Sequence, residues 1–170
     1  MAHKALDVYL NDHLGGATLG AKLAGQIADH AGGTPLAATM AALQVDIAAD
    51  RDVLVDLMER MGITRNPVKV ATGWLAEAGS RVKFSGLASG DSDHGIFMAL
   101  ETLALGVQGK ASLWRALREV RDEHPALAAL DLDALLARAG EQYETLERER
   151  LAAGRHALAA RTAADLPPTS

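Results

Sequence analysis

No cysteine occurs anywhere in this sequence, so disulfides, thiolate metal sites and cysteine nucleophiles are excluded from the start. Aromatic residues are scarce as well, at 4% of the chain, although hydrophobic residues as a whole reach 49%. A core must therefore be assembled from Leu, Ala, Val, Ile and Met, which suits close helix–helix packing more than a sheet sandwich. No basic block is present: 17 Lys and Arg are interspersed with 22 Asp and Glu for a net charge of −5, which argues against a nucleic-acid partner. No stretch approaches the roughly 20 uninterrupted apolar residues of a membrane span. The opening MAHKALDVYLNDHLGG lacks the apolar run of a signal peptide. The expectation is a cytoplasmic protein that does not engage a membrane. Nor is there a nucleophile elbow, and GLASGDSDHG has neither the lysine nor the spacing of a phosphate loop. Asp91, Asp93 and Gly95 do not extend to the twelve-residue pattern of a calcium loop. No catalytic residue is assigned.

What is present is helical punctuation. At 170 residues the chain fits one domain able to bury a core without staples. Leu6, Leu10, His13, Ala17, Ala24 and Ile27 share one face of a first helix over about 4–30, and Gly32-Gly33 ends it. Gly15, Gly16 and Gly20 each weaken that helix by up to ~1 kcal/mol relative to Ala; they either let another helix approach or leave a gap that admits a ligand. Thr34-Pro35 opens a second helix to Met61. Its inward line reads Leu36, Met40, Leu43, Ile47, Asp50, Leu54, Leu57 and Met61, so Asp50 stands where a Leu would be expected. Asn66-Pro67 starts a shorter helix over about 67–84. A helix over about 92–120 and another over about 131–160, capped by Asp131 or Asp133, complete the set, and 165–170 is a frayed tail. Short turns near 31–34 and 121–130 make two antiparallel hairpins, and the thirty residues between them are long enough to travel the bundle. The expected fold is all-α: an antiparallel four-helix bundle whose hairpins are joined by a long crossover carrying a short extra helix, the ferritin-like arrangement.

The stretch His94–Lys110, HGIFMALETLALGVQGK, is the most apolar. Such a helix belongs in a core or at a subunit interface. Glu101 has Phe97, Met98, Ala104 and Leu105 at helical spacing, so its carboxylate is expected to be shielded from water and therefore neutral, paired or metal-bound.

With YLNDHLGGATLG, DIAADRDVLVDLMERMG and ALETLALGVQGK in view, the chain resembles the ferritin-like superfamily, and in particular its less characterised bacterial members. Di-iron members of that superfamily place a Glu on each of two helices and Glu-x-x-His on each of the other two. By that resemblance Glu101 matches a single Glu, and Glu141-Gln-Tyr-Glu144 stands at a Glu-x-x-His position with Glu144 in place of His. Helix one offers Asp12-His13 where a Glu is expected, and helix two offers Asp46 and Asp50 with no His following. The di-iron motif is not intact, so the resemblance implies the fold rather than the oxidase chemistry.

Two hairpin arrangements give two polar sets. In a simple up-down-up-down bundle, His13, Asp50, Glu101 and Glu149 share a level and would suit iron, manganese or zinc. In the ferritin-like arrangement His13 and Asp50 sit nearer Lys110 and Gln142, with Glu101 and Glu149 in another layer; buried pairs of that kind fix helix register. A His13–Asp50 contact is expected in either, and Lys110 falls level with Glu141. The first reading of function is a non-enzymatic bundle acting through a homodimer or a protein partner. The second is a metal-binding protein or oxidoreductase drawing on His13, Asp50, Glu101, Glu141, Glu144 and Glu149. The third is a binding module for an apolar small molecule in space left by the glycines.

Overall fold

The computed structural model describes residues 2–66 and 92–159. The expected helix over 67–84 and the tail at 165–170 lie outside the described residues. Four long helices account for most of the rest: α1 (Ala2–His30), α2 (Pro35–Arg60), α3 (Ser92–Glu119) and α4 (Leu132–Ala157). No strand occurs among the described residues, and none of these helices is long and apolar enough to cross a membrane.

The boundaries follow from backbone chemistry. Gly33 (φ +81°) and Gly62 (φ +68°) occupy the left-handed region where a Cβ is strained, and so stop α1 and α2. Pro35 occupies the first turn of α2, where its missing N–H costs nothing. Thr34 has the extended backbone of a cap residue, but its hydroxyl donates backward to the Ala31 carbonyl at 2.7 Å instead of accepting from α2. At α4 the cap is Asp131, whose carboxylate accepts from the Ala134 N–H at 2.9 Å. Two 3₁₀ turns, Arg121–Glu123 and Pro125–Ala129, reverse the chain between α3 and α4.

α1 packs on α2, α3 packs on α4, and α1 also packs on α3. Two apolar clusters fill the interior. One joins Ala24 and Ile27 of α1, Met40 and Leu43 of α2, Leu100 and Leu103 of α3, and Leu146 of α4. The other joins Leu10, Leu54 and Leu57, Leu113 and Trp114, and Leu132 and Leu135 from the same four helices. Along the predicted inward line of α2, Met40, Leu43, Ile47, Asp50, Leu54 and Leu57 are buried, and its end members Leu36 and Met61 are half-buried. At about 25 cal/mol per Å² of apolar surface removed from water, this line is the main reason α2 holds its rotation. Asp50 is the exception within it, and the site is organised around that exception.

α3 is not enclosed on all sides. Leu105 is 60% exposed, so one face of this apolar helix lies at the edge of the described structure.

Candidate functional site

Asp50 is 2% exposed, and water cannot stabilise its charge there. Three side chains do so instead. Lys110 of α3 donates to Oδ2 at 2.5 Å, and Gln142 of α4 donates its Nε2 to the same oxygen at 3.1 Å. Lys110 also donates to Gln142 Oε1, which closes a ring of three residues from three helices. Arg138 of α4 makes an ion pair with Asp50 Oδ1, without hydrogen-bond alignment. The set therefore holds one carboxylate and two cations. Burial pushes the Lys110 ammonium below the ordinary lysine range, against the opposing pull of Asp50, while Arg138 adds to the lowering. Removing Asp50 would leave Lys110 buried without a counter-ion, and removing Lys110 would leave Asp50 with only the half-exposed Arg138 as one.

Beside this ring lies a partly open cavity of about 210 Å³ between α1 and α3, with α2 behind it. Its charged residues are Asp12, Asp50 and Lys110; its apolar wall includes Leu54, Leu103, Val107 and Trp114. The space exists because small residues face each other: Gly16, Ala17 and Gly20 on α1, and Gly106 and Gly109 on α3. The glycines do two different things. At Gly20 an added Cβ would lie 3.7 Å from both Ile47 and Leu103, so a methyl group there would just meet its neighbours. At Gly106 an added Cβ would meet nothing within 4 Å.

His13 lines the same cavity. Its ring stands edge-on to Tyr9 with centroids 4.6 Å apart, and burial lowers its pKa while Asp12 pulls in the opposite direction. No hydrogen bond or ion pair joins it to Asp50, contrary to the expected contact, because Lys110, Gln142 and Arg138 already occupy that carboxylate. Lys110 likewise reaches Gln142 instead of Glu141, which is exposed on the next position of α4. Trp114 is 1% exposed, lines the cavity, and has an indole Nε1 with no hydrogen-bond partner.

Glu101 corrects the sequence reading. Its side chain is 41% exposed and it pairs with Arg150 of α4 at 3.2 Å. The apolar neighbours Phe97, Met98, Ala104 and Leu105 describe only its own helix, and the face it shares with Leu105 lies at the edge. Arg150 also binds Glu147 at 2.7 Å and sits 5.7 Å from the Phe97 ring centroid, forming a separate polar layer. Of the other proposed ligands, Glu144 is exposed like Glu141, and Glu149 is half-buried. His13 and Asp50 share the cavity; the four glutamates do not join them. Among the described residues no three His, Asp or Glu side chains gather as a metal-ligand set.

Two contributors escaped the sequence reading. Arg138 follows no inward line, but its long stem carries the guanidinium to Asp50 from a half-exposed position. Asn11 is 8% exposed and clasps the chain beyond α2. Its amide donates to the Asp7 and Thr64 carbonyls at 2.8 and 3.2 Å, and its Oδ1 accepts from the Asn66 N–H at 2.7 Å. An Asn in mid-helix next to the buried Leu10 was the available signal, since such side chains compete for nearby backbone groups.

Comparison with protein-family models, with curated proteins and with solved structures finds no match.

Proposed function

We propose that this protein is a small-molecule-binding helical bundle that takes an apolar ligand into the cavity between α1 and α3, with the Asp50–Lys110–Gln142 ring serving to hold three helices in register. The observation that carries this reading is Gly106. A mid-helix glycine costs about 1 kcal/mol relative to Ala, and here no neighbour requires it, because the space beside it is empty. Gly140 is equally unencumbered but faces solvent on α4; Gly106 lines the cavity. A cavity of about 150 Å³ lined by apolar side chains is enough for a benzene ring, and this one is larger.

The reading includes a ferritin-like association of the two hairpins. Its support is the make-up of the two apolar clusters: one draws on the end of α1 and the beginnings of α2 and α3, the other on the beginning of α1 and the ends of α2 and α3. α2 and α3 therefore run parallel, as that association has them. The meeting of Asp50 with Lys110 and Gln142 supports the same association.

The test is a melting curve of tag-free protein with indole, toluene or benzene, and separately with a chelator. A ligand at ten times its Kd adds about 1.4 kcal/mol, a rise of roughly 3–5 °C for a chain of this size. The expected result is such a rise with at least one apolar probe and no change with chelator. A melt indifferent to every probe sinks the proposal, and one lowered by chelator replaces it with the metal-binding reading.

A further inference from the structure

Of the ionisable groups that line the cavity, Asp50 and Lys110 are engaged with each other, and Asp12 is exposed. His13 differs from all three. It lines the cavity and packs edge-on against Tyr9. Among the described residues nothing hydrogen-bonds to its ring, and its nitrogens stay open to solvent, unlike the sealed indole N–H of Trp114. Burial lowers its pKa, so at pH 7 the ring is neutral and carries one N–H and one bare acceptor nitrogen. The Asp12 carboxylate acts on the ring from the neighbouring position, and its field favours the positive end of a ligand dipole at His13. A ligand carboxylate there would be repelled, and an ammonium would have to give up its hydration against an apolar wall. A wholly apolar ligand would displace water from the acceptor nitrogen and return nothing to it.

Resting on the ligand-binding reading above, we propose that the cavity selects a neutral apolar molecule with one hydrogen-bond donor, such as a phenol, and that His13 accepts that hydrogen bond. The donor replaces the water that the apolar body expels from the ring. The body itself lies against Leu103 and Val107, over the open side of Gly106. The volume of about 210 Å³ sets the size at roughly eight non-hydrogen atoms, by proportion to the cavity that admits benzene.

The test is calorimetric titration of the full chain at pH 7 with phenol and with toluene, which match in shape and differ in the donor. Phenol is expected to bind at least as tightly as toluene, although it gives up more hydration on entry. In His13→Leu the ratio of phenol to toluene affinity should fall about tenfold, the effect of losing one hydrogen bond in a desolvated place. A second measurement needs no substitution: in nitrogen NMR of the parent chain, phenol should move the bare His13 nitrogen towards its protonated position, and toluene should not. A ratio unchanged in a folded His13→Leu, or a nitrogen unmoved by bound phenol, overturns the assignment and leaves an apolar binding cavity standing. Tighter binding of benzoate or benzylamine than of phenol overturns the selection of a neutral donor. Failure of phenol and toluene alike overturns the assignment together with the reading it rests on.

Discussion

Two polar layers join α3 to α4, and they differ in what the surrounding apolar residues do to them. Around Asp50, whose side chain is 1% exposed, three helices supply Lys110, Gln142 and Arg138, with Lys110 itself 11% exposed. Around Glu101, whose side chain is 41% exposed, the partner is Arg150, which is shared with Glu147 on its own helix. Both carboxylates sit one helical turn from leucine, and both have cationic partners. The first has no alternative to those partners, and the second has water. Helix register should therefore depend strongly on Asp50 and hardly at all on Glu101.

The sharpest way to break the contrast is to delete each carboxylate in turn. Asp50→Ala leaves Lys110 buried without its counter-ion and should cost about 3–5 kcal/mol. Glu101→Ala removes an edge pair and should cost less than ~1 kcal/mol. Urea unfolding of the two variants measures both, and equal losses would mean that burial does not separate the layers.

Next in size is a rescue. Replacing the whole ring by apolar groups, Asp50→Leu with Lys110→Met and Gln142→Leu, should recover most of what Asp50→Ala loses and end within ~1.5 kcal/mol of the parent. Arg138, already 39% exposed, can turn to solvent. A triple variant no better than Asp50→Ala would show that the ring contributes stability beyond avoiding a stranded charge.

A smaller effect concerns His13, on the wall opposite the ring. Its folded pKa is lowered by burial from the ordinary 6.5, so in the window between the lowered value and 6.5 the unfolded chain binds more protons than the folded one. Its contribution is complete above 6.5 and is lost as pH falls through that window. Melting curves between pH 7.5 and 5 should therefore fall less steeply for His13→Leu than for the parent. Parallel curves would remove His13 from the acid response.

The smallest expected change is a gain. Gly106→Ala meets no neighbour and improves helix propensity, so it should stabilise the apo protein by up to ~1 kcal/mol. A destabilised Gly106→Ala would show that the helix needs the glycine for its own packing.

These contrasts also indicate how far periodicity could be read. The helix limits came through because Gly33, Pro35, Gly62 and Asp131 act locally. The burial of Asp50 came through because a single polar residue in an apolar line has only one direction to point. Glu101 failed the same reasoning: the face of α3 that carries it is apolar but left uncovered by the described residues, and a one-helix pattern records the face without recording what lies against it. Counting residues from the turns put Lys110 and Gln142 near Asp50 in one of the two hairpin arrangements, and Glu101 and Glu149 there in the other. Arg138 was missed because a long side chain can leave its own helical stripe. The cavity was visible only as glycines in α1; that a Cβ would meet neighbours at Gly20 and none at Gly106 depends on what other helices place at each position.

The central claim is that the space beside Gly106 is a binding site, and the most direct measurement is calorimetric titration of indole into the parent chain and into Gly106→Leu side by side. The account predicts saturable binding to the parent, no binding to Gly106→Leu, and an equal or higher melting temperature for the filled variant. Binding that survives in a folded Gly106→Leu, or no binding by the parent, would contradict it.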